Sequence, residues 1–157
     1  MSGRGAFAVL AGVLASVVLM VGCGGGDSET AVAESSISKA EYVKKAEAVC
    51  KKGNEELEAD FAAFVRKAGN AKPTDALYTS LFEEVVEPNV SAELEALREL
   101  DVPEGDADKV EEMLAAREES IALAEEEPKA IIQDSEKVFG SSTKTAKAYG
   151  LKACASR

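Results

Sequence analysis

The sequence predicts an all-α fold, an antiparallel bundle of about four helices behind a flexible N-terminal tether. Apolar residues recur at steps of three and four over residues 38–150, which is the spacing of a helix face that packs on a core. No segment alternates apolar and polar residues as a half-buried strand does, and no Asn-Gly or Asp-Gly pair marks a hairpin. The length of 157 residues suits one such domain, which we place at residues 38–154.

Residues 1–22 have the features of an export signal. Arg4 and the amino terminus supply positive charge, and an apolar run extends from Ala6 to Val21. This run is shorter than the ~20 residues that span a bilayer, and no basic cluster follows it. We therefore expect a cleaved signal peptide, with an uncleaved membrane anchor as one alternative.

The end of this run, Met20-Val21-Gly22-Cys23, resembles a bacterial lipobox. The resemblance implies that the Cys23 sulfur receives a diacylglyceryl group and that a lipoprotein signal peptidase cuts before Cys23. Two acyl chains anchor a protein stably, whereas one gives only marginal membrane binding. The other alternative is ordinary secretion with Cys23 free. We expect a protein anchored by lipid on the extracytoplasmic face of the cell membrane, with residues 23–37 as a tether that spans ~20 Å as a flexible coil.

The first helix is predicted to begin at Ser38, because Ser38 and Glu41 form a capping box and Ile37 is placed to pack on Tyr42. The Gly69-Asn70 pair ends this helix. Its apolar stripe consists of Tyr42, Ala46, Val49, Cys50, Leu57, Phe61, Phe64, Val65 and Ala68.

The second helix begins after Pro73, with Thr74 or Asp75 as its N-cap. Pro88 interrupts it, and we expect one kinked helix rather than two, because no glycine or polar cluster nearby offers a turn. Its apolar positions are Leu77, Leu81, Phe82, Val85, Val86, Val90, Leu94 and Leu97.

A Val102-Pro103-Glu104-Gly105 loop separates the second helix from the third, which Asp106 is expected to cap. Pro128 ends or bends the third helix. A last helix begins near Asp134 or Ser135, and Gly150 is placed to adopt the left-handed conformation that ends it. The apolar positions of these two helices are Val110, Met113, Leu114, Ile121, Leu123, Ala124, Val138, Phe139, Ala146 and Tyr149.

Two cysteines remain when Cys23 is acylated. Export places Cys50 and Cys154 in a compartment where disulfides persist, and we expect them to form one. Such a bond requires α-carbons about 4.4–6.8 Å apart. Two buried free thiols, or a thiol linked to a partner, are the alternatives. A redox role is not expected, because the spacing is not Cys-x-x-Cys.

The order of these features resembles that of a group of small actinobacterial lipoproteins of no assigned activity. It combines the lipobox, the glycine-rich tether, a helix with Ala-Glu-Ala-Val-Cys50-Lys-Lys, the Val-Pro-Glu-Gly-Asp segment and the ending Tyr149-Gly-Leu-Lys-Ala-Cys154. The resemblance covers residues 37–154. It implies the lipid anchor and the paired cysteines, and it implies no activity.

The charge and composition remove several classes of function. The formal charge is −11, and loss of Arg4 with the leader makes it −12, which disfavours binding to nucleic acid. Histidine is absent, so catalysis by Ser/His/Asp or Cys/His groups is excluded and a transition-metal site is disfavoured, and no phosphate-binding glycine loop is present. We expect that the protein is not an enzyme and that it binds no cofactor and no metal. A cation site near Asp101, Glu104, Asp106 and Asp108 is the alternative, but Pro103 and Gly105 break the EF-hand pattern.

These observations predict a non-catalytic, membrane-tethered module that contacts another component of the cell envelope. Seventeen acids against three bases lie between Glu83 and Glu127, which favours a basic protein or polymer segment as the partner. Solvated helix faces would explain the same charges. The rival hypothesis is a small-ligand receptor, with an apolar pocket lined by Phe61, Phe64, Phe82 and Tyr149.

Overall fold

The computed structural model describes residues 37–156. The predicted leader, Cys23 and most of the tether lie outside the described residues. The described part is all-helical and contains no strand, as the sequence predicts. Within residues 37–156, none of the helices combines the length and the apolar character that a bilayer span requires.

Helix α1 (Lys39–Ala68) begins and ends where the sequence places it. The Ser38 hydroxyl accepts a hydrogen bond from the Glu41 backbone N–H, and the Glu41 carboxylate accepts one from the Ser38 backbone N–H, which completes the capping box. Gly69 follows the last turn with a φ of 58°, a left-handed region that favours glycine.

Helices α2 (Asp75–Leu81) and α3 (Glu87–Arg98) are joined by a π-helical segment (Phe82–Val86), so the chain is helical without a break from residue 75 to residue 98. The Thr74 hydroxyl caps α2 by accepting from the Leu77 N–H. Pro88 thus interrupts one helix rather than separating two. Its ring would clash with the carbonyl four residues back in a regular α-helix, and the wider π-turn before it makes room for the ring.

The third predicted helix is α4 (Ala107–Glu126), and Pro128 follows its end. Asp106 occupies the N-cap position, but the prediction that its side chain caps the helix is wrong, because its carboxylate binds other side chains. A short α5 (Ala130–Gln133) precedes α6 (Ser135–Tyr149). Gly150 ends α6 with a φ of 107°, as predicted.

The helices form an antiparallel bundle that is open along one side. Helix α1 packs on α3 and the π-helical segment, α3 packs on α4, and α4 packs on α6. Helices α1 and α6, which would complete the ring, meet at the edge-to-face pair Tyr42–Tyr149, whose ring centres are 5.6 Å apart, but are not packed closely along their length. One side of the bundle is therefore not closed by helix-to-helix packing.

The core consists of two apolar clusters with a polar layer between them. The first cluster contains Tyr42, Ala46, Cys50, Leu97, Val110, Met113, Ala146, Tyr149, Leu151 and Cys154. The second contains Leu81, Phe82, Val85, Val86, Val90, Ala124, Ala130 and Val138. Between them, the buried Arg117 of α4 pairs with the buried Glu93 of α3, and the Ser120 hydroxyl donates to Ser142 Oγ at 3.1 Å. Polar groups at this depth are stable only when paired, so the layer fixes how α3, α4 and α6 meet.

The C-terminal segment closes one half of the open side. Cys154 and Cys50 form a disulfide whose α-carbons are 5.0 Å apart, inside the range expected from the sequence. The Glu47 carboxylate accepts hydrogen bonds from the backbone N–H groups of Lys152 and Ala153. Asn54 Nδ2 donates to the Ala153 carbonyl at 2.8 Å. Residues 37–156 thus have their own core and covalent cross-link, which are the properties of a part that folds on its own.

We expect replacement of both cysteines, Cys50→Ser with Cys154→Ser, to lower the free energy of unfolding by about 2–5 kcal/mol, because the disulfide links residues far apart in sequence and restricts the unfolded chain. Urea denaturation of residues 24–157 measures the loss. Peptide mapping without reductant checks the bond itself, and two thiols that alkylate in the native protein would contradict it.

We expect Arg117→Met to cost about 3–5 kcal/mol, because it leaves the Glu93 carboxylate buried without its cationic partner. The double variant Glu93→Leu/Arg117→Met should recover most of that loss, since it removes both charges. Arg98→Met is the control: its pair with Glu118 at 2.8 Å is exposed, so the cost should stay below about 1 kcal/mol. Equal costs for Arg117→Met and Arg98→Met would show that the buried pair has no special role.

Candidate functional site

An open groove of about 520 Å³ lies where α1 and α6 diverge. The α1 wall is a single helical stripe at steps of three and four residues. It consists of Asn54, Leu57, Glu58 and Phe61. The opposite wall is built by α5 and the start of α6. It consists of Ile131, Ile132, Ser135 and Phe139. Ser156 of the C-terminal segment also lines the groove.

The base of the groove is the second core cluster itself. Leu81, Val86 and Val90 line the groove and are otherwise buried. Above them, Phe61 is 39% exposed and Ile132 is 52% exposed, so large apolar side chains border the opening. Eight of the twelve lining residues are apolar. Apolar surface that continues from the core to the solvent in this way is typical of a binding site.

Some polar groups in the lining make hydrogen bonds within the protein, whereas the carboxylate of Glu58 is exposed. Asn54 Nδ2 donates to Ser156 Oγ at 3.0 Å and to the Ala153 carbonyl, which accounts for both amide protons. The Ser156 hydroxyl donates to the same carbonyl at 2.8 Å. Glu58 is exposed on the α1 wall and is the one charged residue among residues 37–156 that lines the groove. The donors of Asn54 and Ser156 therefore hold the C-terminal segment in place, while Glu58 supplies the charge.

The structure corrects the predicted lining of an apolar pocket. Of the four aromatic residues proposed from the sequence, only Phe61 lines the groove. Phe82 is buried in the second cluster, Phe64 packs against that cluster, and Tyr149 is buried in the first cluster. Two residues of the apolar stripe of α1, Phe61 and Val65, are exposed. The reason is that α1 has no closely packed helix on its α6 side.

A second polar cluster lies at the other end of the bundle, where α1 begins. The Tyr149 hydroxyl donates to Asp106 Oδ2 at 3.0 Å, and Lys109 Nζ lies 2.5 Å from Asp106 Oδ1. Lys39 Nζ lies 3.8 Å from Asp106 Oδ2 and 4.3 Å from the centre of the Tyr149 ring. These contacts fasten α1, α4 and α6 together. The hydrogen bond from Lys109 lowers the pKa of Asp106, and burial raises the pKa of Tyr149 and Tyr42.

This cluster does not have the form of a cation site. Asp106 is buried against Tyr149 and two lysines, whereas Asp101, Glu104 and Asp108 are exposed. Within residues 37–156, no group of three or more metal-ligating side chains comes together. Asp106 therefore has a structural role in joining three helices.

Cys50 and Cys154 are brought together as predicted, whereas the sequence identifies only Phe61 of the groove lining. The α1 wall of the groove was visible in the sequence as an apolar stripe, but a stripe does not reveal which part of it lacks a partner. The buried pair had a clearer signal: Glu93 lies between Val90 and Leu97 on one apolar face, and Arg117 lies between Met113 and Ala124 on another. Opposite charges on two apolar faces indicate a buried ion pair.

Comparison with known protein families, with curated proteins and with solved structures finds no match for this chain. We therefore infer a function from the groove, from the charges of the domain and from the sequence features of the N-terminal segment.

We expect the stability of the domain to fall at both extremes of pH. The folded pKa of Asp106 is below its ordinary value of about 4, so its contribution is present above pH ~4 and is lost as pH falls through the lowered pKa. The folded pKa of Tyr149 is above its ordinary value of about 10, so its contribution is present below pH ~10 and is lost as pH rises through the raised pKa.

Melting temperature measured against pH tests this account. Asp106→Asn should lower the melting temperature near neutral pH and weaken its dependence on pH on the acid side. Tyr149→Phe should weaken the dependence on the alkaline side, while Tyr78→Phe, at a half-buried tyrosine outside the cluster, should leave it unchanged. Identical pH profiles for Tyr149→Phe and Tyr78→Phe would contradict the role assigned to Tyr149.

Proposed function

We propose that the protein is a membrane-tethered extracytoplasmic lipoprotein whose helical domain binds an apolar ligand in the groove between α1 and α6. The observation that carries this proposal is the 520 Å³ groove, whose base is core and whose rim exposes Phe61 and Ile132. Its volume falls within the ~300–1,000 Å³ of typical small-ligand sites. A filled bundle would instead have favoured a role limited to surface contacts.

The proposed lipid anchor would place the groove near a source of apolar ligands. A lipid on Cys23 and a tether of ~20 Å would keep the domain close to the bilayer, which raises the effective concentration of membrane-derived ligands at the groove. Each methylene buried contributes roughly 0.8 kcal/mol. A ligand that buries eight of them gains about 6 kcal/mol before the cost of ordering, which corresponds to weak, micromolar-range binding at best.

The role we propose is non-catalytic. The sequence contains no histidine, and the carboxylate that lines the groove has no second acid beside it in the lining. Catalysis by paired carboxylates needs two such groups across a cleft.

A second candidate function is contact with a basic protein or polymer segment through the acidic surface. Of the seventeen acids between Glu83 and Glu127, only Glu93 and Asp106 are buried. The rest supply a strong negative field, which would steer a cationic partner toward the domain. This contact would use a different surface from the groove, so the two functions can be separated by variants.

We expect residues 24–157 to bind a neutral lipophilic fluorophore such as N-phenyl-1-naphthylamine, and Phe61→Asp to weaken that binding about tenfold or more by placing a charge at the groove. The control is Val102→Asp, which introduces the same charge at an apolar residue of equal exposure, 39%, outside the groove. Fluorescence titration of both variants and of Ile132→Asp measures the effect.

Equal binding by the Phe61→Asp and Val102→Asp variants would contradict the groove as the binding site. Failure of the wild-type protein to bind, together with a dimer in sedimentation that Phe61→Asp dissociates, would show that the groove is instead an interface between two copies. Loss of partner capture at about 0.5 M salt, unaffected by Phe61→Asp, would favour the acidic contact.

We expect mass spectrometry of the membrane fraction to find a mature chain that begins at Cys23 and carries acyl groups, because the apolar run ends in Gly22-Cys23. Cys23→Ala should leave the chain unprocessed or release it from the membrane. A mature chain that retains residues 1–22 in the wild type would contradict the lipoprotein assignment.

A further inference from the structure

We propose that the groove selects amphiphiles with a cationic head group, an alkyl chain that ends in an ammonium group. This inference rests on the proposed function, since it names the class of ligand that the same groove takes. It comes from the charge of the groove lining and from the way the neighbouring charges are already paired.

Among the residues that the structure describes, the lining contains one carboxylate and no cationic side chain. Its eight apolar residues offer an alkyl chain a surface continuous with the core. Glu58 lies on the α1 wall, one turn after Asn54 and next to Leu57. A chain placed against Leu57 and Phe61 therefore brings its head group close to this carboxylate.

The other acids of the same stretch of α1 have partners, and Glu58 does not. Glu55 lies 4.0 Å from Lys51, Glu56 lies 3.3 Å from Lys52, and Asp60 accepts a hydrogen bond from Asn89 at 3.0 Å. Within residues 37–156, no hydrogen bond or ion pair occupies the carboxylate of Glu58. Glu58 is thus the acid of this stretch that lines the groove and has no side-chain partner among residues 37–156.

The remaining polar lining groups favour no anionic head group. The side-chain donors of Asn54 and Ser156 are already used in hydrogen bonds with each other and with the Ala153 carbonyl, and the hydroxyl of Ser135 carries no charge. An anionic head would meet the like charge of Glu58, and none of the described lining residues supplies a cation to offset it, whereas an ammonium head would gain an ion pair. Because Glu58 is exposed, the discrimination should be moderate, on the order of three- to twentyfold.

Three amphiphiles with the same dodecyl chain test this inference: dodecyltrimethylammonium, dodecyl maltoside and dodecyl sulfate, each used below its micelle concentration. Each displaces the neutral fluorophore from residues 24–157 at low salt. We expect the ammonium compound to bind on the order of tenfold more tightly than the sulfate, with the maltoside between them. Glu58→Gln should remove this order and leave the affinity for the maltoside unchanged.

The matched control is Glu56→Gln, which changes the net charge equally on the same helix but at a residue that does not line the groove. A preference for the ammonium compound that survives Glu58→Gln, or that Glu56→Gln removes equally, would overturn the role of Glu58. Equal binding of all three amphiphiles would overturn the head-group selectivity and leave the groove as an apolar site. No binding of any of them, or of the fluorophore, would overturn the proposed function itself.

Discussion

The Cys50–Cys154 disulfide is the constraint on which the open side of this bundle depends. Helix α1 and helix α6 are not packed closely along their length, so the ring of helices is incomplete. The disulfide, with Glu47 and Asn54, holds the C-terminal segment against α1 and covers the first core cluster. Ser156 of the same segment also lines the groove. The same cross-link that closes one half of the bundle thus defines one end of the opening in the other half.

The interior is organised to tolerate such an opening. The ion pair between Arg117 and Glu93 and the hydrogen bond between Ser120 and Ser142 lie between the two apolar clusters. Removing one partner of a buried ion pair leaves the other charge buried and unpaired, which is costly. The pair therefore fixes the register of α3 on α4 even though it adds little net stability. The α3–α4–α6 layer then serves as a rigid base, on which α1 can remain partly uncovered.

The sequence predicted the helices well because their signals are local. The capping box at Ser38, the N-cap at Thr74 and the glycine at position 150 each act within a few residues. Pro88 indicated an irregular helix, but the π-helical form of the irregularity depends on how residues 82–86 pack in the core. The local sequence also predicts that the Asp106 side chain caps α4. Its carboxylate instead accepts a hydrogen bond from Tyr149, which is distant in the sequence.

The groove could not be predicted in the same way. Phe61, Val65 and Phe64 belong to one apolar stripe, and periodicity alone treats them equally. Which of them is covered depends on where the neighbouring helices lie, and only Phe64 of the three is partly buried against the second cluster. The disulfide partners, in contrast, follow from counting thiols, because the expected acylation of Cys23 leaves only Cys50 and Cys154 to pair.

The central claim is that the space between α1 and α6 is a binding site. Two-dimensional ¹H–¹⁵N spectra of residues 24–157, recorded during titration with the neutral fluorophore, test it directly. The account predicts that shifted amides concentrate around Leu57–Phe61, Ile131–Ile132 and Phe139, the walls of the groove. Shifts confined to the exposed acidic face of α4, or a spectrum that does not change at saturating ligand, would contradict it.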